Sequence, residues 1–205
     1  MKRQEFVETE LEESFEPTEV PGEPEADFTR KKEEGEKEEK MAIVAPNAGL
    51  ILMHPFLRAF FKEMKITGLQ GKFLAGKKEE AIQALHFLAT GSEEFFEGNL
   101  IIEKYLCGIP LKMPVPARSL LSPELKEEAE NLLKTTIKHW PALKNTSPRG
   151  LQQMFLQRRG KLVQSGQNDK IIVERETQDI LLEKLQWNIS VIKLPWTKKL
   201  LFVDW

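Results

Sequence analysis

Residues 139–160 read "HWPALKNTSPRGLQQMFLQRRG", and they separate a helical part of the chain from a β-containing part. Trp140-Pro141 stops the helix that precedes the stretch, because proline lacks the N–H a continuing helix needs. Ser147-Pro148 then supplies a cap and a proline at the first helical position, opening an amphipathic run through Leu151, Met154 and Phe155. Gly160 is expected to end that run. Beyond it the hydrophobic period falls from about 3.6 residues to about 2. "KLVQSGQNDKIIVERE" (161–176) reads as two short strands around a Gly-containing turn. "TQDILLEKL" (177–185) reads as a short helix capped by Thr177. "ISVIKL" (189–194) and "LLFVDW" (200–205) are β-rich runs separated by "PWTKK".

Upstream of the stretch the signals are helical. Ser122 caps a helix with Pro123 at its first position and Glu124, Glu127 and Glu128 near its positive end. Leu125, Ala129, Leu132, Leu133, Thr136, Ile137 and Trp140 form its apolar stripe. Earlier helices are expected around "NAGLILMHPFLRAFFKEMK" (47–65), starting or kinking at Pro55, in "KKEEAIQALHFLATG" (77–91), closed by Gly91, and in "NLIIEKYLCG" (99–108), closed by Gly108. The three prolines of "IPLKMPVP" (109–116) make it an extended connector. The reading is an α+β fold: a mainly helical body of about five helices over residues 48–160, followed by a small β-containing C-terminal part over 161–205.

Charge divides the chain differently. Of the 32 acidic and 30 basic residues, 15 acidic and 7 basic lie in residues 1–40, leaving 17 and 23 in residues 41–205. Residues 1–40 are rich in Glu, Pro and Lys and poor in apolar side chains, so they are expected to form an acidic, disordered leader or linker. The body's excess of six positive charges is too small to argue for nucleic acid. The single cysteine, Cys107, rules out an intrachain disulfide and follows an apolar run, as a core residue would. "MKRQEFVETELEE" (1–13) has no apolar segment of the kind a signal peptide carries, and "AGLILM" (48–53) is too short to span a bilayer. A reducing cytoplasm is therefore expected, in which the sequons at Asn145 and Asn188 carry no glycan.

No motif points to catalysis. "GKFLAGKK" (71–78) approaches the phosphate-binding loop at Gly71, Gly76 and Lys77, but Lys78 has no hydroxyl for magnesium and the segment follows a helix, not a strand. An inter-helix turn is the expectation. His54, His86 and His139 are too far apart for metal-ligand spacing, and His86 falls on an apolar helix face as a core histidine would. Cys107 and His139 could pair as nucleophile and base, but nothing in the pattern requires it. No cofactor is expected, and an enzyme is not. More suggestive are Trp187, Trp196 and Trp205, gathered in the last nineteen residues with Lys198 and Lys199 among them. Tryptophan beside basic residues suits a core or an interface. The terminal "LLFVDW" should be docked, on this domain's own sheet or on a partner's edge.

Five segments carry a family resemblance: "NAGLILMHPFL" (47–57), "AIQALHFLATG" (81–91), "EKYLCGIPLKMPVP" (103–116), "HWPALKNTSPRGLQQMFLQRRGKL" (139–162) and "WNISVIKLPWTKKLLFVDW" (187–205). In that order they resemble the tape measure protein of contractile injection systems, the phage-tail-like particles of bacteria. The resemblance implies assembly, not catalysis: such proteins lie inside the tail tube and set its length. It implies that residues 45–205 correspond to the C-terminal end of longer chains, anchored near the spike and baseplate, and it carries over no catalytic residue. Residues His139, Trp140, Asn145, Thr146, Ser147, Pro148, Arg158, Trp187, Pro195, Trp196, Lys198, Lys199 and Trp205 are then expected to serve folding and docking. Implied partners are tail-tube, spike or baseplate proteins, and a homo-oligomer matches a tube's rotational symmetry. The particle would be assembled in the cytoplasm. A 40-residue leader spans only about 60 Å as a helix, too short to measure a long tube, so the terminal domain of a split or truncated gene, or a ruler on another chain, is expected. The competing expectation is an accessory binding module or chaperone for cargo or tail components.

Overall fold

The computed structural model describes residues 41–205; the expected acidic leader, residues 1–40, lies outside the described residues. Among the described residues, five α-helices and five strands make an α+β fold. The helices are α1 (His54–Glu63), α2 (Lys78–Thr90), α3 (Ile101–Leu106), α4 (Pro123–His139) and α5 (Pro148–Leu151). The strands are β1 (Met41–Ala45), β2 (Gly160–Gln164), β3 (Asp169–Val173), β4 (Val191–Ile192) and β5 (Leu201–Asp204), in the order β1-β2-β3-β5-β4. All neighbours are antiparallel except β3 and β5, which run parallel with Asp169 opposite Leu201.

β1 adds to the sequence reading, which placed all β-structure after residue 160. Met41 stands opposite Gln164 and Ala45 opposite Gly160, so the strand preceding the helical body closes onto the hairpin that follows it. One face of the sheet buries Ala45, Leu162, Ile171, Val173, Ile192 and Leu201 against the helices. The other leaves Val44, Ile172, Val191 and Phe202 exposed among Lys161, Lys170 and Asp204, as an antiparallel sheet with one solvated face does.

Between sheet and helices runs a 3-10 segment, Ala48–Met53, all six residues of which are buried. Pro55 sits in the first turn of α1 directly after it, as expected of a proline. Gly49 is required there: a Cβ would lie 1.6 Å from the Phe155 carbonyl oxygen. α4 follows the sequence closely. Ser122 Oγ accepts the Leu125 N–H at 3.2 Å, six stripe residues from Leu125 to Ile137 are buried, and the helix stops at Pro141. Gln83, buried in α2, holds the proline-rich connector: its Nε2 donates to the carbonyls of Pro116 and Arg118, and its Oε1 accepts the Leu120 N–H.

Two boundaries differ from expectation. The helix opened by Ser147 passes from α5 into a single wider π turn, Gln152–Leu156, and ends before Gly160. Gly160 instead begins β2, where a Cβ would meet Ala48 Cβ at 2.6 Å and the Ile172 oxygen at 2.5 Å; close packing, not helix termination, demands the glycine. The 3-10 helix Thr177–Lys184 is capped by Glu176, not Thr177: Asp179 accepts the Glu176 N–H at 2.8 Å while the Glu176 carboxylate accepts from the backbone of Asp179. "GKFLAGKK" is a turn between α1 and α2, tied by a bridge between Thr67 and Phe73.

Candidate functional site

The structure sorts the sequence-selected residues into three places. The first is the turn between α4 and α5. Ser147 Oγ accepts the Gly150 N–H at 3.1 Å with Pro148 at the first helical position, and the Thr146 N–H donates to the Leu143 carbonyl at 2.7 Å. Asn145 stands exposed at the tip. His139 is exposed at the end of α4 with its ring 6.2 Å from Phe56, and Trp140 beside it is wholly buried. The Trp140 indole packs on Phe155 with centroids 4.8 Å apart and donates to the Leu181 carbonyl at 3.0 Å. Trp187 meets Phe56 edge-on and donates to the Leu52 carbonyl at 3.0 Å. These groups tie the 3-10 segments at 48–53 and 177–184 to the end of α4.

The second place is built around Arg158, a cation only 2 % exposed. Its Nε donates to the Met154 carbonyl at 2.8 Å and one terminal nitrogen donates to the Glu174 carbonyl at 3.0 Å. The same nitrogen lies 3.1 Å from Glu176, and the other pairs with Asp179. The Trp205 ring lies over the guanidinium at 5.9 Å, and its indole N–H donates to Asp179 at 3.1 Å. Arg175 donates to the Trp205 oxygen at 2.9 Å. The "LLFVDW" run is therefore docked on this domain's own sheet and on Arg158, which resolves the choice between own sheet and partner's edge.

The third place is a groove of about 640 Å³ between the inner face of β1–β3, the end of α3 and the 195–199 turn. Its apolar lining is Ile43, Ile109, Leu111 and Trp196, and Lys112, Lys198 and Lys199 also border it. Trp196 is anchored by its indole N–H on the Leu106 carbonyl at 2.6 Å and by Phe61 and Phe73, whose centroids lie 5.5 and 5.2 Å away. Pro195 packs toward Gly71, where an added Cβ would lie 3.3 Å from it. Asp169 at the base receives the Tyr105 hydroxyl at 3.1 Å, the Ser165 N–H at 3.1 Å and Lys199 at 3.2 Å. Burial, reinforced by the Asp169 charge, pushes the Tyr105 hydroxyl pKa far up, so it stays a donor. Sequence reasoning found Trp196, Lys198 and Lys199 but not Ile43, Tyr105, Leu111, Lys112 or Asp169. In sequence they lie as far as 156 positions from Lys199; the β1–β2–β3 register and the packing of α3 on β1 bring them together.

The candidates for chemistry are separated or enclosed. Cys107 is 2 % exposed, and burial, helped by the Glu103 charge, raises its thiol pKa, so it is held as an unreactive thiol. Beside it Glu103 is wholly buried: one oxygen accepts from Asn47 at 2.7 Å and faces His86 Nδ1 at 3.4 Å, while the other has no partner among the described residues. His86 is the hydrogen-bonded core histidine the sequence suggested, its Nε2 donating to the Glu94 carbonyl at 3.1 Å. His54 donates to the Asn188 carbonyl at 2.9 Å, and burial holds its pKa below the usual histidine value. Among the described residues no cluster of three or more His, Cys, Asp or Glu could hold a metal, and no helix is long and apolar enough to cross a membrane.

The tryptophans and the buried arginine of this body are engaged in its own packing. The family model for contractile injection system tape measure proteins matches residues 2–205, and the chain belongs to that family. Membership gives it a structural role in a phage-tail-like contractile particle. No curated protein and no solved structure matches the chain.

Proposed function

We propose that this chain supplies the anchor of the tape measure, a domain that docks near the spike and baseplate while the tail tube grows and so helps to set tube length. One observation carries the reading. Residues 41–205 are folded into layered α+β structure whose longest helix, α4, has 17 residues, about 25 Å of rise. Such a body offers docking surface, not reach. Residues 1–40 would then act as the acidic linker leading into it, inside the tube. The cap turn at Asn145–Pro148, the exposed His139 and the groove beside Lys198 and Lys199 are the surfaces proposed to meet tube, spike or baseplate proteins, as one copy or as a symmetric oligomer.

Two experiments test this. Pull-down of the full chain with spike, tube and baseplate proteins should retain at least one, and binding to none of them counts against anchoring. Deletion of the gene, with particle lengths read by electron microscopy, should abolish assembly or scatter the lengths. Particles of normal length would instead favour an accessory binding module or chaperone.

A further inference from the structure

Glu103 places a carboxylate in the core, where α2, α3 and the 3-10 segment Ala48–Met53 meet. A buried carboxylate needs a counter-charge, because an isolated charge is strongly disfavoured in a low-dielectric interior. Among the described residues its one ion-pair partner is His86, whose Nδ1 lies 3.4 Å from Glu103 Oε1 and whose ring is itself buried. The other ionisable groups around the pair are committed elsewhere. Lys104, the next residue of α3, pairs with Glu97 and donates to the Leu111 carbonyl. Arg149 donates to the Thr90 carbonyl at the end of α2, and Lys126 and Ser119 engage the Glu93 carboxylate. Cys107 is held as a neutral thiol, and Glu94 offers the ring its carbonyl. The hydrogen positions point the same way. Both ring nitrogens face oxygen, Nε2 the Glu94 carbonyl at 3.1 Å and Nδ1 the Glu103 carboxylate. A neutral imidazole has a single N–H and would leave one lone pair against an oxygen. Moving a proton to the carboxyl group does not cure this. On Oε2 it would find no acceptor among the described residues, and on Oε1 it would crowd the Asn47 amide, which already donates there at 2.7 Å.

We infer that His86 is a doubly protonated imidazolium at neutral pH and forms, with Glu103, a buried ionic lock that rising pH releases. The lock joins four pieces of chain: α2 through His86, α3 through Glu103, the start of the 3-10 segment through Asn47, and the loop after α2 through the Glu94 carbonyl. When the imidazolium gives up its proton, the buried carboxylate is left without a counter-charge and with one oxygen unpartnered, and the junction loosens. In the unfolded chain a histidine is mostly neutral above about pH 6.5. The folded chain therefore holds one proton more, and its stability falls as pH rises. Anchoring can succeed or fail without this lock.

Ring-nitrogen NMR of the isotope-labelled full-length chain at about pH 7.5 reads the protonation directly. His86 is expected with both nitrogens protonated, and with only one in the urea-unfolded chain. In E103Q the amide keeps the shape, removes the charge and can itself donate to Nδ1, so His86 should revert to a single N–H. Urea unfolding at about pH 7 and about pH 8 gives a second readout. Between them the unfolding constant of the wild-type chain should rise by up to about tenfold more than that of E103Q. A single protonated ring nitrogen on His86 in the folded wild-type chain overturns the proposal, and that measurement decides it even where E103Q fails to fold. An imidazolium that persists in folded E103Q, or equal pH dependence of the two proteins, overturns it as well.

Discussion

Replacing Arg158 with methionine tests whether the buried cation holds the C-terminal strand region together. Methionine keeps much of the apolar stem and deletes the guanidinium. Four acceptors then lose a donor: the carbonyls of Met154 and Glu174 and the carboxylates of Glu176 and Asp179. Removing one member of a buried ion pair costs about 3–5 kcal/mol, because the remaining charge is stranded. Here the cost is moderated. The Glu176 side chain is 55 % exposed and regains water, and Asp179 keeps the Glu176 N–H at 2.8 Å and the Trp205 indole at 3.1 Å. The expected loss is therefore at the lower end, about 3 kcal/mol. With a urea m-value of about 2 kcal/mol/M, the unfolding midpoint of the full chain should fall by about 1.5 M, read by circular dichroism. R158K should recover only part of this, because an ammonium cannot serve the forked acceptor set. The R158M/D179N double variant should lose less than the sum of the single losses, by about 1–3 kcal/mol. A midpoint change under about 0.5 M for R158M, or strict additivity with D179N, refutes the assignment of this cation as the tie.

Other consequences are equally measurable. Gly49→Ala places a methyl group against the Phe155 carbonyl and should cost about 3 kcal/mol or more, seen as a lowered Tm or insoluble expression. Trp140→Phe keeps an aromatic ring but removes the donor to the Leu181 carbonyl and part of the buried indole volume, for an expected loss of about 2–4 kcal/mol in urea unfolding. Because burial lowers the His54 pKa from 6.5, the unfolded chain binds the proton more readily than the folded one. Stability should accordingly fall as pH drops through 6.5 toward the lower folded value, and His54→Gln should flatten that part of the Tm–pH profile. The buried Cys107 thiol should react with a thiol reagent only as fast as the protein opens, whereas immediate labelling at neutral pH would contradict its burial.

Local signals carried the helices. The Ser122-Pro123 start, the stripe from Leu125 to Ile137 and the stop at Pro141 are all written within one segment, and α4 follows them. The hairpin of β2 and β3 was legible for the same reason, its period and its turn being adjacent in sequence. What the pattern did not reveal depends on distant partners. "MAIVA" is five residues long, and only its pairing with residues 160–164 makes it a strand. Gly160 looks like a helix stop in one dimension, but its lack of a side chain is required by Ala48 and Ile172. The site followed the same rule. Tryptophan clustering drew attention to residues 187–205, yet each of the four indole N–H groups is satisfied within the chain, three on backbone carbonyls and one on Asp179. The groove's Ile43, Tyr105 and Asp169 carry no signal of their own, because β1, α3 and β3 meet only in the folded protein.

The placement of β1 also decides how the domain bears load. Chain preceding residue 41 enters the fold through this strand, whose attachment to the sheet is a five-residue antiparallel ladder with β2. Its hydrogen bonds lie across the strand direction. Tension directed along β1 therefore strains every rung together, and the strand must slide as a unit before it comes free. Tension directed away from the sheet opens the rungs one after another from Met41. The same ladder is thus a stiff fastening to an axial pull and a zip to a sideways one.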